Sequence, residues 1–174
     1  VMEIGDFCFK GCKSLEEITL TTDEDKGLGS SLEKIGYRAF EDCGSLKNLI
    51  LPASYKGAEG DATKGGKGGN VFHLSTVKGC GSLESIKTFD RNIQFVSDAP
   101  KGAGDNNAPG DGYNEGKGFV DGDYNFDTFK SEVGEGFYFE GPGYTGSSKT
   151  PVHNVSNVYH ICFKYLGEER YEIV

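Results

Sequence analysis

The sequence predicts a repeat solenoid of the β-rich α/β class, with short stacked parallel strands, short helical turns, long inserts and a terminal capping unit. Three observations predict it. The segment "GCKSLEEITL" (11–20) returns as "DCGSLKNLIL" (42–51) and as "GCGSLESIKTF" (79–89), and self-similarity of this kind marks stacked architectures. Each copy ends in an apolar–polar alternation, as a short half-buried strand does. The 27 glycines among 174 residues hide a shortage of core-forming side chains, which suits units that each need only a thin core.

The first unit, about 1–20, and the second, about 31–52, align without a gap at a period of 31 residues. Ile4 meets Ile35, Gly5 meets Gly36, Cys8 meets Ala39 and Phe9 meets Phe40. Cys12 then meets Cys43, Leu15 meets Leu46, Ile18 meets Leu49 and Leu20 meets Leu51. The third unit, about 71–89, puts Phe72, Val77, Cys80, Leu83 and Ile86 in the same columns 37 residues on. "YRAFEDC" is too short for a helix stable by itself. A tight turn there would bury Phe40 and Cys43, with Gly36 relieving the backbone where the chain turns inward.

"EEITL" (16–20), "KNLIL" (47–51) and "LESIKTF" (83–89) are expected to be neighbours in one parallel sheet. Ile18, Leu49 and Ile86 then point inward at one register. Glu17, Thr19, Asn48, Ile50, Ser85 and Lys87 face outward and form the candidate partner-binding surface, because stacked repeats present extended faces of this kind.

Cys12, Cys43 and Cys80 share one column. A free cysteine packs as a small hydrophobe, so the column predicts core packing. In-register stacking also sets the Cα–Cβ bonds nearly parallel, whereas a disulfide needs the side chains turned toward each other. Free thiols are therefore expected, with Cys43→Ser costlier than Cys43→Ala because a buried hydroxyl needs a partner. The five cysteines contain no CxxC. None of His73, His153 and His160 falls in a pattern that would activate a thiol.

Between the units lie inserts. Residues 56–70, "KGAEGDATKGGKGGN", hold six glycines and read as a surface excursion. They are not a phosphate-binding loop, since Gly66-Lys67 is followed by Gly68 and Asp61 stands where the first glycine belongs. Residues 90–136 form an acidic Gly/Asp-rich insert. Its aromatics Tyr113, Phe119, Tyr124, Phe126 and Phe129 are expected to pin it onto the stack, since a disordered segment carries few. Within it, Asp121, Asp123, Asn125, Asp127 and Glu132 fall at positions 1, 3, 5, 7 and 12 of a calcium loop, the oxygen spacing a hard cation takes. Phe126 occupies the position where that loop needs glycine, and no clear helices flank it. A solvated acidic loop is the plainer reading. Asn154-Val155-Ser156 is a glycosylation sequon.

Residues 137–174 read as a capping repeat or hairpin. "GFYFEG" (136–141) signals a strand, and "TPVHNVSNVYH" (150–160) opens as a helix would, with Pro151 at the first helical position. "ICFKYL", "GEER" and "YEIV" read as strand, turn and strand.

The pattern IGxxAFxxCxxLxxIxL resembles the BspA-like branch of the leucine-rich repeats. "IGYRAFEDCGSLKNLILP" matches it closely, "IGDFCFKGCKSLEEITL" differs mainly at Cys8, and "VKGCGSLESIKTF" matches in its second half. The resemblance covers 1–89 and extends to 137–174, where "GYTGSS" and "ICFKYLG" look like the end of such an array. It implies a right-handed superhelix, a bacterial or protist surface or secreted setting, and a role in binding host proteins or other cells. It implies no catalytic residue and no cofactor.

The net charge of −9 and pI near 4.8 argue against a nucleic-acid partner. No apolar run approaches the ~20 residues of a membrane span, so no membrane insertion is expected. Val1 already lies inside a repeat unit, so no signal peptide is read, and the chain is expected to be a piece of something longer. The function read from the sequence is an extracellular or cell-surface module, non-catalytic, for protein binding or host-cell adhesion. Two alternatives stand beside it. One is a glycan-binding or glycan-processing accessory domain using the aromatic acidic region 98–140. The other is a structural spacer or cap of a longer array.

Overall fold

The turn of each unit repeats bond for bond. The N–H groups of Cys12, Cys43 and Cys80 donate to the carbonyls of Phe9, Phe40 and Val77, three residues back, at 3.1–3.2 Å. Those of Leu15, Leu46 and Leu83 then donate to the carbonyls of the same three cysteines at 3.1 Å. Such short-range bonds need a backbone that reverses sharply, and Gly11, Asp42 and Gly79 supply it with φ of 77°, 61° and 76°. These observations come from a computed structural model, which describes residues 1–36, 38–56, 71–91, 93–97, 126–142, 159–160 and 163–173.

Two strand columns flank the turns. On one side, β1 (Glu3–Ile4) pairs in parallel with β2 (Lys34–Ile35), placing Ile4 against Ile35. On the same side of later units, β4 (Val71–His73) pairs in parallel with β6 (Gln94–Ser97), placing Phe72 against Phe95. On the other side, β3 (Asn48–Ile50), β5 (Ser85–Lys87) and β7 (Tyr138–Glu140) form a parallel ladder with Leu49, Ile86 and Phe139 in one register. Leu49, Ile86 and Phe139 are completely buried. The fold is thus a strand-rich repeat, with two helices among the described residues: a single-turn 3-10 helix at Leu74–Val77 and α1 (Phe126–Val133).

The ladder corrects one expectation. The third strand beside β3 and β5 is β7, and "EEITL" is not a regular strand. The Lys47 N–H, donating to the Glu16 carbonyl at 3.1 Å, and the Lys47–Glu16 ion pair at 3.5 Å tie that segment to the ladder. Ile18 does turn toward the core but is half-buried. The physical reason is position: among the described residues no layer lies on the far side of the first unit. Cys12 differs for the same reason. It is exposed, whereas Cys43 and Cys80 in its column are fully buried.

The insert hides a fourth layer. Cys12 to Ile18, Cys43 to Leu49 and Cys80 to Ile86 each span six residues, and so does Val133 to Phe139. Ile4 to Cys12, Ile35 to Cys43 and Phe72 to Cys80 each span eight, whereas Phe95 to Val133 spans 38. The fourth layer therefore carries thirty extra residues between Phe95 and Val133, and α1 stands where the other layers have their turn. Phe129 on α1 is fully buried, in ring contact with Phe137 at 5.2 Å and Phe139 at 6.2 Å. This aromatic does pin its segment. Tyr113, Phe119 and Tyr124 lie outside the described residues, as do 57–70, 98–125 and the 143–158 stretch that holds most of "TPVHNVSNVYH".

Antiparallel strands close both columns. β8 (Tyr159–His160) pairs antiparallel with β6, and β10 (Arg170–Ile173) pairs antiparallel with β7 and with β9 (Phe163–Gly167). The "GEER" turn forms with Glu168 and Glu169 both at positive φ, 53° and 60°. That matches the right-handed twist of a two-residue hairpin.

Candidate functional site

Side chains alternate across a strand, so each strand of the ladder sends its middle residue to the core and its flanking residues to the open face. Asn48, Ser85 and Tyr138 are register partners on that face, as are Ile50, Lys87 and Glu140. Neighbouring strands lie ~4.8 Å apart, which makes two rows of side chains crossing three layers. Glu17 and Thr19 of the first unit extend the rows. The structure brings all six predicted residues, Glu17, Thr19, Asn48, Ile50, Ser85 and Lys87, into the lining of one depression of about 340 Å³.

Its floor is polar. Ser85 is nearly covered and its hydroxyl donates to Asn48 Oδ1 at 2.7 Å. One wall is the turn after the first unit, which contributes Glu24 and Asp25. Asp23 Oδ1 accepts the N–H groups of Asp25 at 3.1 Å and Lys26 at 3.0 Å, and Asp23 bridges Leu28. The opposite wall is Tyr138, whose ring carries the Arg170 guanidinium at 4.6 Å, and Glu140.

Sequence reasoning missed Glu24, Asp25, Tyr138 and Glu140. The last two could have been found from the six-residue spacing of Phe139 from Val133. The fourth unit lacks the cysteine and Ser-Leu signature that reveals the others. Glu24 and Asp25 carry no repeat signal at all.

The five calcium-loop residues fall differently. Asp121, Asp123 and Asn125 lie outside the described residues. Asp127 and Glu132 belong to α1, so the second half of the predicted loop is helix. Glu132 has a defined partner: its carboxylate accepts the Gly79 N–H at 2.8 Å. In earlier layers the equivalent N–H groups of Gly11 and Asp42 donate to the backbone carbonyls of Glu41 and Lys78 at 2.8 and 2.7 Å. The side chain of Glu132 thus stands in for a backbone carbonyl of the next turn.

The buried thiols are quiet. Cys43 Sγ donates to the Phe9 carbonyl and Cys80 Sγ to the Phe40 carbonyl, both at 3.1 Å. Burial pushes the Cys80 thiol up from 9.0 to about 12, with the neighbouring Cys43 adding to the effect. Burial also raises the Cys43 thiol. A thiolate nucleophile is disfavoured at both sites.

Residues 1–62 match the family model described as BspA type leucine rich repeat region (6 copies). This segment is therefore a BspA-type leucine-rich-repeat region, as its motifs indicated. No curated protein and no solved structure matches the chain. Repeats of this family typically form protein-interaction or surface modules and are typically non-enzymatic. No helix among the described residues is long and apolar enough to cross a membrane.

Proposed function

We propose that the chain is a non-catalytic, extracellular or cell-surface binding module, and that it holds a protein partner in the depression on the open face of the ladder. Host-cell adhesion and a right-handed superhelical course are parts of the same reading. The observation that carries it is the convergence of residues from four layers on one concave surface. Glu17 and Thr19 come from the first, Asn48 and Ile50 from the second, Ser85 and Lys87 from the third, and Tyr138 and Glu140 from the fourth. Residues far apart in sequence are held there by a parallel ladder whose inner side is a packed core. A rigid scaffold presenting an adaptable polar face is suited to recognition, and this mode needs no cofactor.

The test is a panel of immobilised proteins and glycans probed with the intact chain, Thr19→Trp, Asn48→Trp and the control Glu169→Gln, whose residue is outside the lining. Thr19 and Asn48 are exposed, so an indole at either fills the depression without entering the core. Panel members that bind the parent and the control should be lost with both tryptophan variants. Unchanged binding by the tryptophan variants would remove the depression from the account. Retention of glycans alone would move the reading to the carbohydrate alternative.

A further inference from the structure

We propose that the segment seated in the depression is a cationic, extended stretch of polypeptide bearing several Lys or Arg side chains. This rests on reading the depression as the binding surface and states what kind of partner fits it. The lining sets four carboxylates, Glu17, Glu24, Asp25 and Glu140, against one ammonium, Lys87. That ammonium is held 5.4 Å over the Phe89 ring. Lys47 pairs with Glu16 at 3.5 Å, while Arg170 lies over Tyr138 on the wall of the depression and is the register partner of Glu140, so the uncancelled charge is that of the opposite wall. Glu17, Glu24 and Asp25 make no ion pair among the described residues. Their field is therefore not cancelled from within, and a concave polar surface of one sign draws opposite charge to itself.

The distribution of the charge selects a polycation over a metal ion. Among the described residues, no three His, Cys, Asp or Glu side chains stand close enough together to hold one ion. The carboxylates are divided between two walls, Glu17, Glu24 and Asp25 on the first unit and the turn after it and Glu140 across β3 and β5 on the fourth. An extended chain places side chains of one face at about twice ~3.3 Å, so separate cations along it can reach the two walls. Thr19, Asn48 and Ser85 on the floor offer hydroxyl and amide groups to its backbone. A phosphate backbone would meet the same field as repulsion.

The experiment measures fluorescence anisotropy of labelled decalysine and decaglutamate on the intact chain. Two triple variants carry the same net charge: E17Q/E24Q/D25N in the depression, and E135Q/E168Q/E169Q at exposed sites outside its lining. Decalysine should bind the parent and decaglutamate should not. The depression variant should weaken decalysine about tenfold and the control little, since unscreened partner charges act through such complementarity. Binding should fall as salt rises from about 0.05 to about 0.5 M. Equal weakening in both variants would show a net-charge effect only, and an indifferent depression variant would place the peptide on the acidic region 98–140. Either result overturns the proposal, as does absence of binding or its abolition by calcium at constant ionic strength. Asn48→Trp separates the two readings. If panel ligands are lost with Asn48→Trp but kept by the depression triple variant, the surface stands and the cationic partner falls. If neither variant affects those ligands, the surface reading itself falls.

Discussion

At the scale of single residues, the cysteine column shows how a structure revises an energetic expectation. A buried hydroxyl without a partner makes Cys→Ser the worse substitution. The structure supplies that partner, because the acceptor of each buried thiol is the carbonyl of the preceding layer's phenylalanine. Cys43→Ser and Cys43→Ala are therefore expected to cost similar amounts, each about 1–2 kcal/mol, the alanine through a small cavity and the serine through a poorer fit. Urea denaturation of the two variants checks this, and a serine penalty several times the alanine one would show that the hydroxyl does not reach Phe9. The same burial has a pH consequence. The folded thiol of Cys80 holds its proton up to about pH 12, against an ordinary 9.0. Below pH 9 both states keep the proton and stability is unaffected. Between 9 and 12 the unfolded chain releases it and the folded one does not, so stability falls as pH rises. Melting temperature should drop more steeply above pH 9 in the parent than in Cys80→Ala.

At the scale of elements, two glycines in one column separate packing from conformation. Gly36 has no positive φ, so it is not there for backbone freedom. A Cβ on it would overlap the Asp6 amide and come within 2.6 Å of the Gly5 carbonyl carbon, whereas a Cβ on Gly5 would meet nothing within 4 Å. Gly36→Ala should cost about 1–3 kcal/mol by overpacking, and Gly5→Ala should be close to neutral. Comparable denaturation midpoints for the two would mean that the layers separate easily. The expectation from sequence placed Gly36 at a bend; the structure makes it the contact where one layer lies on the backbone of the last. Helix α1 offers a second test. Glu132→Ala leaves the Gly79 N–H without its acceptor and should cost about 1–3 kcal/mol, a hydrogen bond to a charged group being worth that much. Glu132→Gln keeps an acceptor oxygen and should recover most of the loss.

At the scale of the whole molecule, stability is a sum over layers and the interfaces between neighbours. Contacts run from each layer to the next: Phe9 stacks on Phe40 at 5.3 Å, Tyr55 meets Phe72 at 6.3 Å and Phe72 meets Phe95 at 6.0 Å, and within the fourth layer Phe95 meets Phe139 at 4.4 Å. The aromatic chain links the two strand columns through the interior. Since Tyr55 and Phe72 hold the ends of the excursion together, shortening 57–70 to a tight connection should alter melting temperature by only a few degrees, because loop-closure entropy changes slowly with length. A fall far beyond that would mean the excursion packs on the stack.

The period of 31 residues, the inward register of Leu49 and Ile86, and the flanking strand positions of Asn48, Ile50, Ser85 and Lys87 were legible in the sequence. Each depends on local alternation and on equal spacing, which the chain itself displays. The closing hairpin was legible too, through "GEER" between two alternating runs. The fourth layer was decided only in three dimensions. Its two halves are thirty residues further apart than in the other units, it has Val133 where they have cysteine, and it uses a helix for a turn. What makes it a layer is that Phe95, Phe129 and Phe139 fill the same interior space, a relation of volume that no spacing records. The same holds for the depression. Strand alternation alone sets which way Asn48 and Ser85 point, but Glu24, Asp25 and Glu140 reach its rim through a turn and a distant strand. The charge that defines the surface was therefore fixed by tertiary packing, where long-range contacts bring together residues that the sequence keeps apart.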